Sequence, residues 1–175
     1  MLLGLVGSEM CIRDRITTEV GGSGGGTITV EVPILGTAGS VATDVTMTGG
    51  SGAISVEDMG TDINDISLTT TGTISLDGTY TTSILSSGNA DVGDVTLTGP
   101  VTLAGNTTID TDSSDGTVGF TSTVDGGNTL TISSGAGTVD FAGNIGATTA
   151  LGDVDINSSS GTGTIAINNV GDGNP

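Results

Sequence analysis

The sequence predicts an all-β chain wound as a parallel β-helix, a β-solenoid of about 22 residues per turn and right-handed coiling, on three observations. Of 175 residues, Gly and Thr contribute 32 each, a composition hostile to helix bundles because Gly and β-branched residues are poor helix formers. Hydrophobic residues make up only 34% and aromatics 2%, so any core is thin and aliphatic. The third observation is a repeat. Gly, a small or polar residue, a β-branched residue, any residue and a large apolar one recur as GTITV from Gly26, GAISV from Gly52, GTISL from Gly72, GDVTL from Gly93, GTVGF from Gly116, GTVDF from Gly137 and GTIAI from Gly163.

Taken in chain order, residues 1–15 stand apart. They hold the only Cys, Cys11, and the only basic residues, Arg13 and Arg15. MLLGLVG lacks the basic start and small-residue cleavage site of a secretory signal. LVGSEMCIRDR, residues 5–15, resembles a translated sequencing adapter, so 1–15 is read as a non-native leader and 16–175 as a solenoid repeat fragment incomplete at both ends. GGSGGG from Gly21 lacks the Lys of a phosphate loop and reads as a flexible corner. In each Gly-led copy the third and fifth residues are apolar around a small or polar fourth, the period-2 alternation of a strand with one buried face. A second strand is expected between copies at DVTM from Asp44, DISL from Asp65, TLTI from Thr129 and DVDI from Asp153, with Gly, Asn, Asp and Ser forming the corners. One turn cannot bury its narrow apolar face, whereas stacked turns pair backbones at about 4.8 Å and merge their inward rows. Val118 and Phe120 should therefore lie over Val139 and Phe141. Seven such turns predict a rod about 30–35 Å long.

Twenty acidic residues against two basic ones give a net charge of -18, which repels nucleic acid and anionic membrane surfaces. No apolar run of bilayer-spanning length occurs. Beyond residue 15 there is no Lys, Arg, His or Cys, so ion pairs and disulfides cannot hold the fold, and salt should stabilise it by screening self-repulsion. The same lack removes the usual general bases and nucleophiles, so no catalytic residue is assigned and the chain is read as a non-enzyme.

The phrases TTTGTISLDGTYTT, GDVTLTGPVTLAGNTTIDT, GTVGFTSTVDGGNTLTISSGAGTVDFAGNIG and ALGDVDIN resemble the repeat regions of bacterial surface exoproteins of the filamentous-haemagglutinin and autotransporter type. The resemblance implies an extracellular or cell-surface β-helical segment, adhesive or stalk-like, that extends and displays binding regions. Its partners would be a host or environmental surface, glycans among them, and contiguous solenoid repeats of a parent chain.

Carboxylates are the remaining chemistry. Asp110, Asp112 and Asp115 in DTDSSDG form the densest cluster and the candidate calcium ligands, because calcium takes six to eight oxygens and Gly116 permits a tight bend. The spacing departs from an EF-hand, which would place Gly at Asp115. A solvated acidic turn is the plainer reading, and no other cofactor is expected. The same cluster carries the alternative function, a polysaccharide-processing or carbohydrate-binding β-helix using Asp. Asp91 with Asp94, and Asp153 with Asp155, are weaker pairs, the latter alternating with Val154 and Ile156 as a wet strand face would. Thr27/Thr29, Thr96/Thr98 and Thr129/Thr131 suggest a hydroxyl array of the ice-binding type, but aligning the seven Gly-led copies leaves Thr-x-Thr in one only. The single Tyr, Tyr80, is too little for a sugar-stacking platform.

Overall fold

The structure is a computed structural model describing residues 14–17, 19–20, 24–36, 43–83, 93–157 and 163–171. Alternating side chains and glycine corners produce the expected solenoid. Sixteen strands join one sheet in which every pairing is parallel, and an antiparallel contact of Glu19–Val20 with Gly24–Gly25 stands apart. Among the described residues there is no α-helix, only a 3-10 turn at Asp112–Ser114.

Each coil has three faces. Face one stacks Asp14–Thr17, Thr43–Gly50, Ile63–Thr70, Val95–Thr98, Val118–Phe120, Val139–Ile145 and Ile165–Val170. Its inward rows run Val45, Ile66, Val95, Val118, Val139, Ile165 and, two residues on, Met47, Leu68, Leu97, Phe120, Phe141, Ile167. Face two carries the row Ile28, Ile54, Ile74, Val101, Val124, Ile145, Val170. Face three carries Ile34, Met59, Tyr80, Ile109, Ile132, Ile156. Strands Ile74–Thr81 and Val101–Asp110 each turn from face two to face three without breaking, through a register shift after Leu76.

The rows are the core. Val118, Val139, Ile54, Ile74 and Ile132 are wholly buried, and the rings of Phe120 and Phe141 stack with centroids 4.6 Å apart and planes within 4°. A row of this kind costs each strand its solvent on one side only, so the apolar content of a third of the chain suffices.

Two expectations need correction. From Val45 to Ile165 the chain makes five circuits of roughly 24 residues, rather than about 22. The shorter figure came from treating the seven Gly-led copies as equivalent. They occupy two faces: the copies from Gly26, Gly52 and Gly72 lie on face two, and those from Gly93, Gly116, Gly137 and Gly163 lie on face one. The supposed second strand divides likewise, Asp44 and Asp65 leading face-one strands and Thr129 and Asp153 opening face-three strands. All faces share the inside-outside alternation, so a local pattern does not say to which face it belongs.

The leading glycine has a steric cause. A Cβ built on Gly137 would lie 2.1 Å from the Gly116 carbonyl oxygen, and one on Gly163 2.1 Å from that of Gly137. On face two a Cβ at Gly52 would meet the Gly26 oxygen at 2.4 Å. Successive coils approach too closely at these corners for any side chain.

Candidate functional site

The corner between faces three and one holds the acidic cluster. Asp110 ends its strand with its side chain on the outer side of face three, between Thr81 and Ser133 in the ladder. Its Oδ1 accepts the Asp112 N–H at 3.1 Å, opening the 3-10 turn. Asp115 closes that turn in the left-handed conformation, φ 55°, and its Oδ1 accepts the Ala136 N–H of the next coil at 2.7 Å. The loop thus brings the three residues to one corner while directing two of the carboxylates to backbone amides. Among the described residues no group of three or more His, Cys, Asp or Glu side chains is gathered to hold a metal ion.

The bond made by Asp115 is one of a set. Asp58 accepts from Thr79 at 2.7 Å, Asp65 from Asp94 at 2.8 Å, Asp94 from Thr117 at 2.7 Å, and Asp125 from Thr148 at 2.7 Å, in each case one coil further along. A carboxylate on an amide N–H is a charge-assisted bond that needs no cation. This is how a chain without basic residues in its repeats uses acidic corners, a role composition alone did not suggest. The signal was present in the sequence as Asp recurring at corners one coil before a Thr, Ala or a further Asp. Asp91, the sequence partner of Asp94, lies outside the described residues. Asp153 and Asp155 lie on the exposed side of their strand, with Val154 and Ile156 turned inward, as the alternation required.

Beneath the acidic corner lies a buried polar seam. Thr82 Oγ1 donates to the Gly93 carbonyl at 2.6 Å and sits 3.2 Å from Ser114 Oγ. Ser114 Oγ donates to Thr111 at 3.0 Å, and Thr111 Oγ1 to Gly116 at 2.8 Å. Among the described residues no buried side-chain nitrogen or oxygen lacks a partner, so the seam holds a tight corner and leaves no polar atom aimed at a ligand.

Tyr80 is buried, not displayed. Its hydroxyl donates to the Val56 carbonyl at 2.7 Å and accepts the Asp77 N–H at 3.2 Å, and burial pushes the phenol well above its ordinary range. The hydroxyl array reads differently in the true register. Thr96/Thr98 stack on Ser67/Thr69 and these on Thr46/Thr48, three consecutive rungs on face one, which the alignment of Gly-led copies had scattered. Gly119, Asp140 and Ala166 continue the same ladder and end it. Threonine also lines the outer side of face three at Thr79, Thr108 and Thr131, so hydroxyls mark outward strand positions generally.

The concave features are open grooves. One of about 460 Å³ runs along the early coils past Leu35, Met59, Asp62 and Thr81. Another of about 550 Å³ lies over Phe141, Ile165 and Ile167 at the last coil. No described helix is long and apolar enough to cross a membrane. Comparison with known proteins gives no match, neither to a family model, nor to a curated protein, nor to a solved structure.

Proposed function

We propose that the chain is a structural, non-catalytic repeat segment of a bacterial surface exoprotein of the filamentous-haemagglutinin or autotransporter type, extending and displaying binding regions outside the cell. The observation that carries this reading is the coil-on-coil parallel stacking of inward rows on all three faces, which makes a rod whose length grows by one strand spacing per coil. A rod of stacked coils separates what it carries from its anchor, and its outward Thr, Ser and Asp side chains keep it in solution. The resemblance of residues 60–170 to exoprotein repeats supports the same reading. Calcium has no part in the proposal: the acidic corner serves the backbone, and chelation should leave the unfolding midpoint unchanged.

The test is to place the segment between a bacterial outer-membrane anchor and a small binding domain, and to measure capture of large particles that carry the target. The folded segment should raise capture over a direct fusion, and Val118→Asp, which disrupts the core, should abolish the gain. Equal capture without the segment contradicts the role. Cleavage of an acidic or neutral polysaccharide by the chain, lost in Asp110→Asn with Asp112→Asn, would establish the carbohydrate-processing alternative instead.

A further inference from the structure

Asp followed by Gly is the pair most open to backbone rearrangement, because Gly puts no side chain between its amide nitrogen and the preceding carboxyl carbon. Three such pairs fall among the described residues, and the fold treats them differently. Asp115 and Asp125 have Oδ1 bound by amides one coil on, from Ala136 at 2.7 Å and from Thr148 and Thr149 at 2.7 and 3.1 Å. The glycines after them, Gly116 and Gly126, are buried, and their N–H groups donate to the Thr111 and Thr149 carbonyls at 3.3 and 3.2 Å. Asp77, at the turn from face two to face three, is exposed and Gly78 only half-buried. It falls inside the register shift between Leu76 and Gly78, so no residue of the next coil faces it in the ladder. Its carboxylate lies against bare backbone, in the space a Cβ on Gly105 would need, and among the described residues no donor bonds to it. The turn itself requires glycine next, since Gly78 sits at φ 98°.

We propose that Asp77 is a modification site, the place where the folded chain converts aspartate to isoaspartate. The Gly78 amide nitrogen attacks the protonated Asp77 carboxyl at Cγ. A C–N bond forms, and the carboxyl hydroxyl leaves with the amide proton as water. Water then adds back to the cyclic imide. Breaking the Cγ–N bond restores aspartate, whereas breaking the bond to the α-carbonyl leaves the chain running through the side-chain carbon, with a free α-carboxylate. No oxidant, metal or cofactor enters, and the mass is unchanged. An amide donating to a carboxylate stabilises its ionised, outward-turned form, so the bonds at Asp115 and Asp125 oppose the same step. Isoaspartate at position 77 lengthens the main chain by one carbon beside Tyr80, whose hydroxyl accepts the Asp77 N–H and donates to Val56. The product therefore loosens the rod at this turn, and its α-carboxylate is the kind of group that an S-adenosylmethionine-dependent carboxyl methyltransferase esterifies.

The test is to age the 175-residue chain at mildly acidic pH, folded and in urea, and to locate isoaspartate in peptic peptides by electron-transfer fragmentation. Methyl transfer from labelled S-adenosylmethionine by an isoaspartyl carboxyl methyltransferase gives the total. In the folded chain isoaspartate should build up at Asp77 at least tenfold faster than at Asp115 or Asp125. In urea the three rates should converge, because the selection belongs to the fold. Asp77→Glu, which would need a larger and slower-forming ring, should remove most of the folded-state methyl acceptance, and the modified fraction should unfold at lower denaturant than the unmodified. Similar rates at the three sites in the folded chain overturn the proposal. So does an absence of isoaspartate at Asp77, or a preference for it that persists in urea.

Discussion

Val139, Phe141 and Ile145 occupy the same three inward positions as Ile165, Ile167 and Val170 one coil later, with the same alternation and nearly the same residue types. The first set is sealed and the second half open. Burial in this molecule therefore belongs to the neighbouring coil and not to the strand itself. An interior strand is covered from both sides along the axis, and a terminal one from a single side. Stability should accordingly be distributed by position in the stack, as nearest-neighbour coupling requires.

Truncation at the two sites breaks the comparison most directly. Phe120→Ala removes a ring stacked on Phe141 and should cost about 3–5 kcal/mol in urea unfolding. Ile167→Ala, on the same row two coils on, should cost about 1 kcal/mol or less, because much of its side chain already meets water. Equal costs would mean that coils do not depend on their neighbours. Gly137→Ala probes the coil spacing without touching the core: its methyl group would drive against the Gly116 carbonyl, and a loss of about 1–3 kcal/mol is expected, whereas Gly119→Ala, with open space around it, should lie within about 0.5 kcal/mol of the parent.

Tyr80 extends the test to pH. Its phenol ionises less readily in the fold than in the unfolded chain, where the ordinary pKa is about 10. The unfolded state thus releases its proton first as pH rises, and the stability contributed by the neutral buried phenol, complete below pH 10, is lost progressively above it. Tyr80→Phe should flatten that alkaline fall in chemical denaturation while lowering stability near neutrality by about 1–3 kcal/mol, since the Val56 carbonyl loses its donor. The smallest effect is expected at the corners. Asp94→Ala should cost about 1 kcal/mol through the lost bond from Thr117, and Asp94→Asn, which keeps an accepting oxygen, should recover most of it.

Much of this architecture was legible in the residues. Gly116, Val118 and Phe120 announce a strand, and the recurrence at Gly137, Val139 and Phe141 announces its stacking, because period-2 alternation and a 21-residue offset are both local facts. The face each copy occupies was not legible. Gly72 and Gly93 lead pentapeptides of the same pattern 21 residues apart, yet Ile74 pairs with Val101 and Val95 with Ile66, because a coil offers three chemically similar faces and only the accumulated corner lengths decide among them. The acidic corners were legible as solvated turns but not as amide acceptors: whether Asp115 reaches Ala136 depends on two coils lying in register, which neither segment encodes by itself.

The central claim is that the backbone completes a circuit and stacks in parallel. Spin labels on Cys substituted at Thr46 and Ala166, in a Cys11→Ser background, test it across the longest face-one ladder, whose outward positions run through Ser67, Thr96, Gly119 and Asp140. Five strand spacings place the backbones at the two sites about 24 Å apart despite a sequence separation of 120 positions, so pulsed dipolar spectroscopy should give one narrow distribution centred near that distance. A broad distribution centred near 60 Å, the coil dimension for that length, would contradict the account.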